Sequence, residues 1–323
     1  MNSRIQVTTF QDEFLSEAAA LFIANFRKQR QATPLLPDKL EEPEQVINLL
    51  KDFLHSTPGI AALRNGRLVG YLSWLPIDRF RNMDRTGAFC PEWGHAVAED
   101  GAASIYLAMY RKAAVQWNTA GCQVYAITLL SADQPAAKFW FWNGFGMIVI
   151  NAIRSTQPLN ISKPKNLVIR AAQPEEAETI ARLESEHYIH YSSPPISMVP
   201  QPPEDVEGYR EFLRRPNCKV WLAWIGNDPV GYVRFEPQAF GAAAIVRSDT
   251  TIAISAAYTR PQFRGHGVAP ALLEAGLQHY AAKGFNICSV DFESTNPEAS
   301  HFWLKYFDPV CISVMRILEK GPT

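Results

Sequence analysis

The feature that most constrains the fold of this chain is an internal repeat with a period of about one domain length. The segment Gly59–Pro76 (GIAALRNGRLVGYLSWLP) resembles Cys218–Pro237 (CKVWLAWIGNDPVGYVRFEP). Each reads as a strand, a tight turn and a second strand with Gly-Tyr, which is typical of a β-hairpin. The pattern Ala-x-x-Phe-Trp occurs at Ala136 and again at Ala299, also about 160 residues apart. Two landmarks at one offset favour duplication over chance similarity.

The length of the chain and the stretch between the two halves predict two domains. The chain has 323 residues, which is more than one small core needs. Residues 155–166 (STQPLNISKPKN) are polar and contain two prolines, as expected of a linker. We therefore predict a first domain over residues 1–157 and a second over residues 166–323. The expected fold class is α/β, and each domain should be a mixed central sheet flanked by helices.

Charge and cysteine content limit the kinds of partner. The formal net charge is −1, so neither nucleic acid nor an anionic membrane is expected as a partner. No apolar run approaches membrane-spanning length, and Met1–Phe10 lacks the regions of a signal peptide. The five cysteines are scattered and lack C-x-x-C spacing, which predicts buried thiols and no metal site. We therefore expect a soluble cytoplasmic protein, either a monomer or a homodimer.

The second half predicts alternating strands and helices. Apolar residues recur at three and four positions in the helical segments and alternate in the strand segments. The sheet is expected to be antiparallel at its start and parallel around the loop that follows residue 258. Strands are predicted at Leu167–Arg170, in the hairpin, and at Thr250–Tyr258, Asn286–Glu293 and Pro309–Leu318; helices are predicted at Pro174–Tyr191, Pro203–Arg214, Val268–Lys283 and Pro297–Tyr306.

The loop after residue 258 carries the strongest functional signal. Its sequence, YTRPQFRGHGVA, reads as a strand end, a glycine-bearing loop and a helix start. Gly265 and Gly267 allow positive φ and a close approach to a ligand. The first amides of the helix have no acceptor within the helix and lie at the positive end of its dipole. Such an arrangement holds a phosphate or pyrophosphate, and Arg260, Arg264 and His266 add positive charge.

Three phosphate-binding designs can be compared with this loop. A P-loop requires Gly-Lys-Ser/Thr, whereas Val-Ala follows Gly267. A dinucleotide fold requires a third glycine where Pro270 stands, although Asp291 lies near the place of a ribose-binding acid. The third design, Q/R-x-x-G-x-G/A, is met by Gln262, Gly265 and Gly267. The third design fits best, and a nucleotide-binding oxidoreductase stays open as a weaker alternative.

The span Thr250–Leu318 resembles the GNAT N-acetyltransferase family in element order, spacing and motif. Downstream of the loop, Asn296-x-x-Ala-x-x-Phe-Trp303 is similar to the family pattern N-x-x-A-x-x-F-Y. The resemblance implies two tandem GNAT-like domains and acetyl-CoA as the acyl donor. It also implies a strand bulge near Ala256–Tyr258 that opens a cleft for the pantetheine arm.

The resemblance further implies which residues hold the donor and what accepts the acetyl group. A backbone amide near Tyr258 or Thr259 would polarise the thioester carbonyl, and the loop amides would bind the pyrophosphate. The acceptor would be an amine of a small molecule or a peptide. The residues implied in cofactor binding are Tyr258, Thr259, Gln262, Phe263, Arg264, Gly265, His266, Gly267, Val268, Ala269, Asn296 and Trp303.

The sequence departs from the family at the position of the catalytic acid. Trp303 stands where the family has a tyrosine that protonates the leaving thiolate, and Tyr306 follows nearly one turn later. Either the thiolate takes its proton from water or the acceptor, or the domain binds acetyl-CoA without catalysis. No general base is evident, because Glu236, Asp291 and Glu293 are candidates by position alone. His187 and His190 lie three residues apart on the first helix, which shapes the acceptor pocket in this family.

The first half departs further from the motif. Its corresponding loop, Glu99-Asp-Gly-Ala-Ala-Ser104, lacks the glycine pattern and places two acids where a pyrophosphate would bind. We therefore expect a degenerate copy that serves as scaffold. His95 is a possible substrate contact or a structural residue, and the run Phe139–Trp142 is expected in a core or an interface.

Overall fold

A computed structural model describes residues 4–199 and 201–319. Contacts between Cα atoms divide the chain into two compact units, one of residues Met1–Ile150 with Pro309–Thr323 and one of residues Asn151–Asp308. This division differs from the predicted ranges 1–157 and 166–323 at both ends. The second unit is continuous in sequence, whereas the first is built from both ends of the chain. Among the described residues, no helix combines the length and apolar character needed to cross a membrane.

The first unit follows a strand–helix–helix–hairpin order. Two layers of strands are present, with neighbours β1-β2-β3-β6 in one and β4-β5-β7-β14 in the other. The elements are β1 (Gln6–Thr9), α1 (Leu15–Ala32), α2 (Pro43–Ser56), β2 (Gly59–Arg64), β3 (Arg67–Ser73), β4 (Leu75–Ile77), β5 (Gly87–Cys90), β6 (His95–Val97), α3 (Ala102–Thr119), β7 (Val124–Leu130), α4 (Gln134–Trp142) and, from the C-terminus, β14 (Asp308–Ile317). Strand β8 (Gly146–Ser155) runs across the boundary between the units.

Strand β14 is an integral part of the first unit. It pairs antiparallel with β7 from Cys311 opposite Leu130 to Ile317 opposite Val124. The side chain of Val314 is fully buried in the same core cluster as Ile127 and Leu129. The prediction that this strand belongs to the second domain is therefore wrong, because its hydrogen-bond partner lies about 180 residues away in sequence.

The second unit repeats the element order of the first. Its sheet has neighbours β13-β12-β11-β10-β9, antiparallel except for the parallel pair β12 and β13. The elements are β9 (Leu167–Ala171), α5 (Ala177–Ser192), α6 (Val206–Arg214), β10 (Lys219–Ile225), β11 (Asp228–Pro237), β12 (Thr251–Thr259), α7 (Val268–Ala282), β13 (Ile287–Glu293) and α8 (Pro297–Tyr306). The α/β fold class and the order of elements in this half are thus as predicted.

The Ala-x-x-Phe-Trp landmark follows a helix cap that is used in both units. Helix α4 starts after Asp133, whose Oδ1 accepts a hydrogen bond from the amide of Ala136 at 3.0 Å. Helix α8 starts after Asn296, whose Oδ1 accepts one from the amide of Ala299 at 3.1 Å. Asp and Asn are favoured at this position because a short side chain satisfies an orphan amide of the first turn. The cap places the aromatic pair of each helix toward its own core.

The segment predicted to be a linker is packed on the second unit. The Thr156 hydroxyl donates to the carbonyl of Phe285 at 2.8 Å, and its amide donates to the carbonyl of Asn286 at 3.1 Å. Pro164 lies against the start of α7, since its Cγ is 3.2 Å from the place where a Cβ on Gly267 would stand. Polar composition alone did not reveal these contacts. The five cysteines are free and buried, as predicted.

Candidate functional site

The site begins where two parallel strands separate. Strands β12 and β13 pair only from Thr251 opposite Ile287 to Ile254 opposite Val290. At the next residue, Ser255, the register of β12 against β11 shifts, because Ile254 faces Phe235 and Ala256 faces Arg234. An extra residue of this kind bends a strand and increases its twist. The prediction of a bulge is confirmed, but it lies at Ser255, one residue before the predicted range of Ala256–Tyr258.

The glycine loop has the backbone geometry that its sequence predicts. Gly265 has φ 76° and Gly267 has φ 80°, so both occupy the left-handed region that favours glycine. Helix α7 begins immediately after Gly267. We find no hydrogen bond of normal geometry from the amides of 265–269 to any residue within 4–199 and 201–319. These amides are therefore free to bind an anion at the positive end of the helix.

A cavity of about 470 Å³ opens beside this loop, within the second unit. It is bounded by the end of β12, the loop and first turns of α7, helix α8 and two histidines of α5. Its size falls within the usual range of small-molecule sites. Ten of the twelve residues implied in cofactor binding line it: Tyr258, Thr259, Phe263, Arg264, Gly265, Gly267, Val268, Ala269, Asn296 and Trp303.

The remaining two predicted residues do not line the cavity. Gln262 is exposed on the single turn that precedes the glycines. His266 is exposed, and its Nδ1 lies 2.8 Å from the carbonyl oxygen of Arg264. Both belong to the loop, where the motif fixes the backbone more than it selects side chains.

The arginines of the loop have different surroundings. Arg264 lines the cavity, donates to the carbonyl of Thr259 at 3.0 Å and pairs with the exposed Glu298 at 3.2 Å. Arg260 instead forms ion pairs with Glu186 at 2.7 Å and Asp228 at 2.6 Å. The charge of Arg260 is thus matched by carboxylates. Arg264 is the loop cation that faces the cavity.

Helix α8 contributes an aromatic wall. Trp303 is buried and packs against Phe302, with ring centroids 4.7 Å apart. Tyr306 also lines the cavity, with its ring 5.2 Å from that of Phe302 and the Lys305 ammonium 5.3 Å above it. The tryptophan at the family's tyrosine position and the tyrosine one turn later therefore face the same space. Tyr306 is the acidic hydroxyl of the two.

The three carboxylates considered as bases lie outside the cavity lining. Glu236 faces Arg234 at 3.4 Å and Arg215 at 3.8 Å, which identifies it as part of an ion-pair group. Asp291 and Glu293 lie on β13 beyond the point where β12 and β13 separate. The Asp291 carboxylate packs against the main chain of Gly241, and burial together with Glu293 raises its pKa to about 6.

A polar group that the sequence did not reveal lies at the other side of the cavity. The Tyr232 hydroxyl donates a hydrogen bond to Oε2 of Glu184 and lies 3.0 Å from Nδ1 of His187. Tyr232 and His187 both line the cavity. The spacing Glu184-x-x-His187 places both side chains on one face of α5, but only the tertiary structure brings Tyr232 of β11 between them.

The two histidines of α5 are packed on aromatic rings. His187 stacks on Tyr258 at 5.4 Å and 28°, and His190 lies 6.4 Å from the same ring. Burial, together with His190 and Arg264, lowers the pKa of His187 to about 3. Burial and Arg264 also lower the pKa of His190. In the described part of the chain, no three His, Cys, Asp or Glu side chains come together as metal ligands.

In the first unit, side chains fill the corresponding gap between β6 and β7. His95 is only 5% exposed, and its ring nitrogens lie 3.0 Å from the Tyr106 hydroxyl and 2.9 Å from the carbonyl of Thr128. Tyr106 and Trp140 are fully buried there. His95 is therefore a structural residue. The run Phe139–Trp142 is divided, because its first two residues are buried and Trp142 is 82% exposed.

The acids of the first unit's loop are engaged in ion pairs. Glu99 pairs with Lys28 at 2.8 Å and Asp100 with Arg64 at 2.7 Å. Helix α3 nevertheless starts after a glycine with positive φ, Gly101 at 77°, as α7 starts after Gly267. The turn geometry is therefore shared, while the charge of the loop is opposite to that needed for an anion.

Comparisons with known proteins agree with this geometry. Residues 182–308 match the model of the acetyltransferase (GNAT) family. A GCN5-related N-acetyltransferase from Sphaerobacter thermophilus has a similar fold, with a TM-score of 0.61 and 12% identity over 98% of this chain and 97% of that one. A fungal glucosamine N-acetyltransferase region of a multi-domain β-N-acetylglucosaminidase matches with a TM-score of 0.56 and 11% identity, over 97% of this chain and 38% of that one.

At these identities the structural likeness establishes the fold alone. No curated protein sequence matches the chain significantly. The family match coincides with the helix, sheet and loop that surround the cavity. The chain therefore carries a GNAT-family acetyltransferase domain, which the family model matches over residues 182–308.

Proposed function

We propose that the second unit transfers an acetyl group from acetyl-CoA to an amine. The observation that carries this proposal is the meeting of unpartnered loop amides at 265–269 with a cavity at the point where β12 and β13 separate. The amides and Arg264 would bind the pyrophosphate. The pantetheine arm would extend along the end of β12, toward Tyr258 and Thr259.

The transfer would be a direct attack within a ternary complex. The amine nitrogen forms a bond to the thioester carbonyl carbon, the carbon–sulfur bond breaks, and the CoA thiolate leaves. A thiol pKa near 8.5 makes this thiolate a good leaving group. A backbone amide at Tyr258 or Thr259 would polarise the carbonyl, and holding both reactants in one cavity would supply much of the rate enhancement.

The experiment that tests the donor site is calorimetric titration of the full chain with acetyl-CoA. We expect one site with a Kd in the micromolar range, and no binding by the double variant Gly265→Asp and Gly267→Asp. Negative charge and strain at these positions would both oppose a pyrophosphate. Gly284→Asp is the matched control, since Gly284 has φ 87° at the opposite end of α7 with open space around it.

Two results would count against the donor assignment. Retained acetyl-CoA affinity in the double variant would show that the loop is not the binding site. Binding of NAD in preference to acetyl-CoA would favour the nucleotide-binding oxidoreductase considered from the sequence.

A second candidate function is a non-catalytic acyl-CoA-binding or regulatory module. It is favoured by Trp303, which replaces a proton donor with an indole that cannot serve as an acid. The two functions differ in thiol release from acetyl-CoA across a panel of primary amines. Binding without release would support the module, whereas release with any amine would support the enzyme.

Several expectations from the sequence remain predictions. These are a small-molecule or peptide amine as acceptor, a degenerate copy with a scaffold role in the first half, a cytoplasmic location, and a monomer or homodimer. The shared element order of the two units and the filled gap in the first support the second of these expectations.

A further inference from the structure

The hydrogen bonds among Glu184, Tyr232 and His187 fix the tautomer of the histidine. Tyr232 uses its only proton to donate to the Glu184 carboxylate, so its oxygen is left to accept from Nδ1 of His187 at 3.0 Å. The imidazole therefore carries its proton on Nδ1. In the described chain we find no partner for Nε2, whose lone pair belongs to a ring that lines the cavity.

We propose that His187 is the catalytic base of the transfer and that Tyr232 and Glu184 form a proton relay behind it. This inference rests on the proposed acetyltransferase function. As the amine attacks, Nε2 of His187 takes a proton from the amine nitrogen, and the Nδ1 proton passes to the Tyr232 oxygen. The Tyr232 hydroxyl proton passes in turn to Oε2 of Glu184.

At the end of this step the bonds and charges balance. One N–H bond of the amine has broken, one N–C bond has formed, and the thiolate has left. The imidazole is again neutral, with its proton on Nε2, and the phenol is again neutral. The negative charge that was on Glu184 has been replaced by that of the thiolate, and Glu184 returns its proton to the solvent or the thiolate before the next turnover.

The environment of the group favours a relay over a stable imidazolium ion. A positive charge on His187 would face Arg264 and His190 among the rings of Tyr191 and Tyr258. The carboxyl group at the far end has different neighbours, with Arg234 favouring its charge and Glu204 opposing it beside Tyr209. Burial raises the pKa of Glu184, so a proton delivered there is held more readily than by an exposed carboxylate.

The first part of the test measures the histidine tautomer and needs no acceptor. In the full chain labelled with ¹⁵N-histidine, two-bond ¹H–¹⁵N correlations should show His187 with a proton on Nδ1 and a bare Nε2 from pH 5 to 8. The signal is assigned by its loss in His187→Gln. Tyr232→Phe should remove the preference, because the ring then loses its acceptor. A proton on Nε2 in the wild-type chain would overturn the proposal.

The second part separates the relay from a structural role. Glu184→Gln keeps a carbonyl oxygen that can accept from Tyr232, so the tautomer should persist, but an amide cannot take up the proton. Thiol release from acetyl-CoA with hydrazine, a small surrogate amine, should therefore fall about 100-fold in kcat in Glu184→Gln and His187→Gln. Glu178→Gln, on the exposed face of the same helix, should be unchanged. A wild-type rate in either variant would overturn the relay.

Failure of the relay can be told apart from failure of the proposed function. Acetyl-CoA titration of every variant reports the donor site separately, and the Kd should stay within about threefold of wild type. Loss of donor binding in the wild-type chain would contradict the acetyltransferase function. A correct donor site combined with the wrong tautomer would contradict only the role of His187.

Discussion

At the scale of single residues, the second unit contains ionisable groups whose charge is costly where they lie. Asp291 is the clearest case, because its carboxylate packs against the main chain of Gly241 with Glu293 nearby. Its pKa of about 6 exceeds the ordinary value of 3.8. The protonated form is therefore preferred in the folded chain. The favourable contribution of this residue is complete below pH 3.8 and is lost as the pH rises through about 6.

Asp291→Asn should consequently stabilise the protein at neutral pH and leave it unchanged in acid. The gain in free energy of unfolding should be close to zero at pH 4 and reach up to about 3 kcal/mol at pH 7.5. Urea unfolding at the two pH values measures it. Asp249→Asn, at an exposed position, is the control and should give no such dependence. Equal effects at both pH values would contradict the assignment.

Tyr306 is the second residue whose role can be tested singly. If its hydroxyl protonates the leaving thiolate, Tyr306→Phe should lower kcat about tenfold or more and leave the KM for acetyl-CoA unchanged. Stopped thiol-release assays with an amine accepted by the wild type measure both constants. Trp303→Tyr in the same background restores a phenol at the family's position and should recover part of the rate. Unchanged kcat in Tyr306→Phe would leave water or the acceptor as the proton source.

At the scale of elements, the placement of α7 decides whether the loop can serve a ligand. The helix lies on the sheet at Gly276, where a Cβ would be 2.3 Å from the ring of Phe235. Phe235 is itself fully buried and packs on Tyr280 at 5.2 Å. Glycine is thus required here for close packing of helix and sheet. Any change that lifts α7 also moves the amides of its first turn.

Gly276→Ala should therefore destabilise the chain although alanine favours a helix. Overpacking costs about 1–3 kcal/mol and helix propensity returns up to about 1 kcal/mol, so a net loss of about 1–2 kcal/mol is expected. Thermal unfolding and acetyl-CoA titration should both show the effect. In the Phe235→Leu background the same substitution should cost less, since the ring is gone. An equal cost in both backgrounds would show that the contact is not responsible.

The elements of the second unit were largely predictable because their signals are local. Periodicity and glycine positions fixed the hairpin, the loop and α7 to within a few residues. The exact place of the bulge was not predictable, because Ser255 differs from its neighbours only in its pairing with β11. The relay group was also hidden, since Tyr232 and His187 are 45 residues apart in sequence and meet through the packing of α5 on the sheet. Non-local pairing likewise concealed the partner of β14.

At the scale of the whole molecule, the discontinuous first unit makes two fragments behave differently. Residues 151–308 contain every residue of the cavity and all the strands from β9 to β13. We expect this fragment to fold and to bind acetyl-CoA with nearly the affinity of the full chain. A fragment of residues 166–323, cut at the predicted boundary, carries β14 without its partner β7 and should aggregate. Circular dichroism and titration of both fragments measure the difference.

The complementary fragment tests the same division from the other side. Residues 1–150 leave the edge of β7 open, and an unpaired edge strand favours association with other chains. A peptide of residues 309–319 added in trans should restore a monomer, as judged by light scattering. A monomeric 1–150 fragment without the peptide would contradict the division.

Strand β14 also sets an order in time for a chain that emerges from the ribosome. The residues that complete the first unit are made last, after the whole of the second. At roughly 5–20 residues per second, β7 waits about ten to thirty seconds for its neighbour. During that interval the acetyltransferase domain can close around its own core. The half that is synthesised first is thus the half that finishes folding last, and it is the part most exposed to chaperones during translation.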